Sequence, residues 1–251
     1  PLSQGWTDRN GILLGMALIL EETKELQEEV AAIVANPEAP TLENTIAAGV
    51  FADCEYPFEV LPKISEFIIQ LGQKLDKSRF DKIGDNIYIA KSATVAKTAS
   101  LTGPLIIDED AQIRHCAFIR GSVIVGKNCV VGNSTELKNV ILFDNVQTPH
   151  YNYVGDSILG YKSHMGAGSI TSNVKSDKTN VVIKSGDEKI ETGIKKIGAM
   201  LGDFVEVGCN SVLNPGTVIG RNTNIYPTSC VRGVVPSDSI WKTGGVIAAK
   251  N

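Results

Sequence analysis

The chain has 251 residues and a formal net charge of -4, room for one repeat domain and a modest extra module but not for two full-sized catalytic domains. No block of like charge marks a binding tail, so nucleic acid is not indicated as a partner, and small molecules or other proteins fit better. Five cysteines, Cys54, Cys116, Cys129, Cys209 and Cys230, are scattered without a CxxC pair; they suggest neither a disulfide framework nor a zinc site and fit a reducing, cytoplasmic setting.

In chain order, the apolar run from Gly11 to Leu20 is too short to span a bilayer and lacks the basic flank and cleavage pattern of a signal peptide. It belongs to an expected amphipathic helix from Ile12 to Ala35, with Met16, Ile19, Leu20, Leu26, Val30 and Ile33 roughly on one face and Asn36-Pro37 as the stop. A break at Pro37 and Pro40 precedes a short helix ending before Gly49. A third runs from about Pro62 through Ile64, Phe67, Ile68, Leu71 and Leu75. Residues 1–80 are thus expected to form an N-terminal helical region, which either covers the first coil of the repeat domain or docks a partner.

From Ile83 onward, Ile89, Val95, Leu101, Ile107, Ile113, Ile119, Val125, Val131, Leu137 and Phe143 recur every six residues. Neither an amphipathic helix nor a hairpin strand repeats at that interval. The period is that of a parallel β-helix, in which three six-residue rungs close a coil and residues eighteen apart stack. The expected β-helix domain covers 81–235, with a phase slip at Gln147-Thr148-Pro149-His150 and the repeat regained at Val154, Leu159 and Met165. A polar insertion over 172–196, carrying a candidate strand at Val181 to Lys184 and a turn at Ser185-Gly186-Asp187, reads as an inserted loop. Such loops are common places for function, and also for merely tolerated insertions. The repeat resumes at Leu201, Val207, Leu213, Ile219, Ile225 and Val231, and the tail 236–251 is expected to close the far end. Seven or so coils spaced about 4.8 Å apart give a prism roughly 34 Å long.

Small residues follow most of the periodic positions, as tight corners require, but Arg120 and Lys138 do not fit, and they lie eighteen apart on one corner. Two cations about 5 Å apart repel by roughly 1 kcal/mol in water and about 3 at an effective dielectric of 20, a cost that a bound anion would reverse. The alternative is that both side chains splay into solvent or pair with Glu136 or Asp156. The three histidines, His115, His150 and His164, raise a metal site of the γ-class carbonic anhydrase kind, but their spacings include no close pair, and no metal is expected. His150, in the slip and near the stacked cations, is either an exposed loop histidine or a catalytic base.

Over about Ile113 to Pro236 the segments GNSTELKN (132–139), PHYNYVGDSILG (149–160), MGAGSITSN (165–173) and KKIGAMLGDFVEVGCNSVLNPGTVIG (195–220) resemble the hexapeptide-repeat acyltransferase family. The resemblance is to the glucosamine-1-phosphate N-acetyltransferase half of the bifunctional bacterial and archaeal enzymes that make UDP-N-acetylglucosamine. It implies a left-handed parallel β-helix, a homotrimer with sites between subunits, acetyl-CoA as co-substrate, and an amino-sugar 1-phosphate as acceptor. Carried over by position, the sugar-phosphate contacts fall on Arg120 and Lys138, the general base on His150, its orienting carboxylate on Glu136, a substrate-contacting tyrosine on Tyr153, and the oxyanion N–H on Ala167. Asn173 and Cys209 match positions beside the acyl-CoA. His164 stands where the family has a sugar-contacting asparagine, Val174 replaces an aromatic residue, and the basic C-terminal extension that helps hold coenzyme A is not recognisable after Trp241, although Arg221, Arg232 and Lys242 could stand in for it. Residues 1–80 are too few for the nucleotidyltransferase half. Beside this enzymatic expectation stands a non-catalytic one, a β-helix that binds sugar nucleotides or docks partners.

Overall fold

The computed structural model describes residues 45–52, 54–186 and 188–250; the helix expected over 12–35 and the break at Pro37 and Pro40 lie outside the described residues. The apolar repeat stacks into three parallel ladders. Ile89, Ile107, Val125, Leu142, Leu159, Leu201, Ile219 and Val235 follow one another on side one. Side two carries Val95, Ile113, Val131 and Thr148, then Met165, Val207, Ile225 and Trp241. Side three carries Leu101, Ile119, Leu137 and Val154, then Thr171, Leu213 and Val231. Nearly all of these side chains are buried together inside the prism, the arrangement a six-residue period demands.

The register departs from the sequence reading at three places. Ile83 is 60% exposed: it sits in strand Phe80–Gly84, which runs antiparallel to Ile87–Ala90. Parallel stacking starts at Ile87, and the antiparallel strand covers the backbone edge that the first coil would otherwise leave open. The phase slip lies earlier than expected. Leu137 pairs with Ile119 eighteen residues back, but Leu142 pairs with Val125 only seventeen back, so Leu142 takes the inward place and Phe143 does not. The missing residue is at the corner between sides three and one. There the turn Arg120-Gly121-Ser122 is shortened to Lys138-Asn139 and again to Gly155-Asp156 in the next coil, and Asn139 and Asp156 take positive φ at 55° and 49°. Asparagine and aspartate tolerate that conformation better than most residues. Finally, Gln147-Thr148-Pro149-His150 holds register, since Thr148 points inward, pairs with Val131 and is fully buried, its hydroxyl donating to the Val130 carbonyl at 3.3 Å.

Side one also has an apolar outer face. Ile106, Ile124, Ile141, Ile158, Met200 and Val218 point away from the prism and are still buried. They are covered by Phe58, Val60 and Leu61, by Ile64 and Ile68 of the helix Ile64–Gly72, and by the insertion. The latter forms an antiparallel hairpin, Val182–Ser185 with Glu188–Glu191, and Val181, Ile183 and Ile197 are buried against side one. The fit is close: a Cβ added at Gly216 would meet Val181 Cγ1 at 2.7 Å. The described N-terminal residues therefore lie along the prism instead of over its end. At the far end the tail folds back as Val246–Ala249, antiparallel to Ser239–Lys242.

The corner between sides one and two buries acidic groups. Asp108 accepts the Glu109 N–H at 2.8 Å and Asp144 the Lys127 N–H at 2.9 Å, and burial pushes both carboxyls above their usual range. A carboxyl whose folded pKa is raised disfavours folding as pH climbs from the unfolded value through the folded one, so its cost grows with pH and is gone below about pH 4. Asp108→Asn keeps the acceptor without the charge. It should raise Tm by about 2–4 °C at pH 7, with the gain vanishing near pH 4, as thermal unfolding at the two pH values will show.

Candidate active site

The shortened corner gathers the polar residues that the repeat singled out. The Arg120 N–H donates to the Leu137 carbonyl at 2.8 Å, so Arg120 and Lys138 do occupy one corner on adjacent coils. Their charges do not meet, because Arg120 Nη1 lies 2.6 Å from Glu136 Oε1 and Lys138 Nζ lies 3.0 Å from Asp156 Oδ1. Of the alternatives open from the sequence, pairing with Glu136 and Asp156 is the one realised. Hydrogen bonding and charge from Glu136 hold the Arg120 guanidinium still more firmly protonated than usual.

Asp156 is the hub. It is 3% exposed, and its carboxylate accepts from Lys138 Nζ, from Asn139 Nδ2 at 2.9 Å and from Asn173 Nδ2, while its backbone carbonyl accepts the Gly198 N–H at 2.7 Å. Asn173 Nδ2 also lies 3.1 Å from the Tyr153 hydroxyl oxygen. Burial, aided by the charges of Asp156 and Glu136, raises the Tyr153 phenol pKa against the donation from Asn173. The phenol is thus neutral and able to donate toward the open side.

One corner away, between sides two and three, His150 is exposed and pairs in register with Asn133. Its backbone is fixed: the N–H donates to Asn152 Oδ1 at 3.1 Å and the carbonyl accepts the Gly168 N–H at 3.0 Å. Among the described residues no hydrogen bond joins its imidazole to Glu136, whose carboxylate is on Arg120. In the next coil Ala167 is half-exposed, and among the described residues its N–H donates to no backbone acceptor, which leaves it available to a ligand oxygen. Cys209 stands exposed one coil further on the same corner. His164 is on side two, its Nδ1 2.9 Å from Glu206 Oε2 on the adjacent strand.

The structure therefore gathers Lys138, Tyr153 and Asn173 around Asp156, keeps Arg120 with Glu136 beside them, sets His150, Ala167 and Cys209 along a second corner, and places His164 on side two with Glu206. Sequence reasoning offered Asp156 as a partner for the cations but missed Asn139 beside it, and gave Asn152 no role. The signal for Asn139 and Asp156 was the pairing of an asparagine or aspartate with a corner one residue too short.

A β-helix of hexapeptide coils with a cation-bearing corner beside a histidine corner defines a protein that resembles the hexapeptide-repeat acyltransferases. More particularly, residues 101–186 match the model of the GMPPB C-terminal domain. The chain is 27% identical over 259 residues to the bifunctional protein GlmU of Methanococcus maripaludis strain S2, covering 96% of this chain and 58% of that protein. It is 32% identical to the GlmU of Methanococcus aeolicus, over 67% of this chain and 47% of the relative. With the bifunctional sugar-1-phosphate nucleotidylyltransferase/acetyltransferase of Sulfurisphaera tokodaii it shares 30% identity, over 63% of this chain and 44% of the relative. The chain thus spans about half the length of the curated relatives it matches.

Proposed function

We propose that this chain is an acetyl-CoA-dependent N-acetyltransferase acting on an amino-sugar 1-phosphate, with glucosamine 1-phosphate as the foremost substrate, in the making of UDP-N-acetylglucosamine. The observation that carries the reading is the unpartnered Ala167 N–H one coil from His150, beside a corner that holds two cations. An amine attacks a thioester only in its neutral form, so His150 takes the proton from the amino group as the N–C bond forms. Ala167 donates its N–H to the oxygen that becomes negative, an effect worth about 3 kcal/mol per donor in comparable sites. The C–S bond then breaks, and the proton held by His150 goes to the departing thiolate. Arg120 and Lys138 orient the sugar phosphate, Tyr153 donates to the sugar, and Asn173 and Cys209 flank the acyl-CoA. Glu136 is the orienting carboxylate for His150, freed when a phosphate takes its place on Arg120. His164 contacts the sugar where the family has asparagine.

The resemblance extends this reading to a cytoplasmic homotrimer, whose mass light scattering would reveal. Among the described residues no helix is long and apolar enough to cross a membrane. The test is release of free thiol from acetyl-CoA across a panel of amino-sugar 1-phosphates, expected with glucosamine 1-phosphate first. Silence across the panel at high enzyme concentration would sink the reading. One observation favours a second reading, the engagement of Glu136 by Arg120, which leaves His150 without its carboxylate. A non-catalytic sugar-nucleotide-binding protein would show a ligand-induced rise in Tm without thiol release.

A further inference from the structure

Asn152 is 2% exposed, lies two residues after His150, and spends its whole carboxamide on two neighbouring segments. Its Oδ1 accepts the His150 N–H at 3.1 Å. Its Nδ2 donates to the Gly166 carbonyl at 2.9 Å and the Ser169 carbonyl at 3.0 Å, with the Ser169 hydroxyl at 3.2 Å. Gly166 and Ser169 bracket Ala167, and Ser169 itself donates back to the Gly166 carbonyl at 2.7 Å. One side chain therefore fixes both the strand end that presents the His150 imidazole and the turn that presents the free Ala167 N–H. The turn is also held by the Gly168 N–H on the His150 carbonyl, by the Gly166 N–H on the Val207 carbonyl at 2.7 Å and by the Ala167 carbonyl, which accepts the Asn210 N–H at 2.9 Å, but none of these bonds reaches the His150 N–H.

We propose that Asn152 is the positioning residue that sets the His150 base against the Ala167 oxyanion donor, an inference that rests on the acetyltransferase reading. A proton acceptor and an oxyanion donor must serve the same tetrahedral centre, and an offset of about 1 Å between them can cost about 10²-fold in rate. A carboxamide suits the task, since it offers an acceptor to one segment and two donors to the other in one rigid plane. The group lies beneath both catalytic elements and touches neither the sugar nor the acyl chain, so its influence falls on the chemical step and not on binding.

Asn152→Ala should lower kcat by about 10- to 100-fold while KM for acetyl-CoA and for the sugar phosphate stay within about twofold. Asn152→Ser, which returns one short hydroxyl and disturbs folding less, should fall between the two. Ser211→Ala is the structural comparison: on the same corner of the adjacent coil, the buried Ser211 hydroxyl donates to the Tyr226 carbonyl at 3.1 Å and accepts the Ser229 N–H at 3.2 Å, and neither bond involves the His150 or Ala167 segment. Its loss should lower Tm and leave kcat unchanged. A wild-type protein that releases no thiol with any substrate overturns the acetyltransferase reading and this proposal with it. An active wild type overturns the proposal alone if the Asn152 variants keep their kcat, if the loss appears only in KM, or if Ser211→Ala loses kcat as they do.

Discussion

Replacing His150 with alanine should lower turnover of acetyl-CoA by about 10²- to 10⁴-fold, the range that a positioned general base supplies, and leave the fold intact. The imidazole is exposed, and the hydrogen bonds that tie this residue into the coil come from its backbone N–H and carbonyl, which alanine retains. The loss should therefore appear in kcat, with Tm within about 1–2 °C of the wild type, the ordinary range for a surface substitution. Glu136→Gln makes the informative contrast. Its carboxylate lies 2.6 Å from Arg120, so neutralising it leaves the guanidinium more available to a phosphate while removing the carboxylate proposed to orient His150. The sugar-phosphate KM should not rise as kcat falls. Thiol-release kinetics on purified proteins separate the two effects, and a His150→Ala enzyme with wild-type kcat would remove the imidazole from the mechanism.

Much of the fold was legible because a buried aliphatic ladder has one period and few disguises. Where the reading went astray, the physical reason is local. Thr148 fills an inward position with a hydroxyl satisfied by the Val130 carbonyl, so an apolar count sees a gap where the coil has none. Phe143 looks like the next aliphatic residue only because the corner before it lost a residue, and Leu142, one place earlier, is the side chain inside. The outer layer of side one was also written in the chain. Leu105-Ile106-Ile107, Val123-Ile124-Val125 and Val140-Ile141-Leu142 are apolar at every place, and a strand with both faces apolar is covered on both. That pattern shows that something lies on side one. It cannot say that the N-terminal segment and the hairpin share the work, since either could have been the cover.

The candidate site divides in the same way. The eighteen-residue spacing put Arg120 and Lys138 on one corner, and the register agrees. Their partners depend on side-chain reach, which spacing does not fix, and the deletion at Lys138-Asn139 brings Asp156 near enough to take Lys138 for itself. The two cations are thus each neutralised by their own carboxylate. A phosphate must compete with Glu136 for Arg120, whose side chain is 47% exposed, and with the buried Asp156 for Lys138. Arg120 is accordingly the cation that yields first to a ligand, because water and salt screen an exposed ion pair and leave its partners only weakly held.

Asp156→Ala should have the largest effect on stability. Removing one member of a buried ion pair costs about 3–5 kcal/mol when the charge left behind stays buried. Lys138 is 30% exposed and can turn toward water, so the cost here falls nearer 2–3 kcal/mol on the same scale. A loss of that size corresponds to a drop in Tm of about 5–10 °C for a chain of this length. Asn139 and Asn173 lose their shared acceptor as well, and Asn173 no longer holds the Tyr153 hydroxyl in a fixed place. Turnover should therefore fall even below the new melting temperature, by about tenfold if Tyr153 and Asn173 act as positioned contacts. Asp156→Asn isolates the charge from the scaffold, since its amide oxygen can still accept from one asparagine while Lys138 is released. It should recover part of the lost Tm without raising the sugar-phosphate KM. Thermal unfolding and steady-state kinetics on the two variants measure both effects, and an Asp156→Ala protein melting within about 1–2 °C of the wild type would show that the hub contributes little to the stability of the corner.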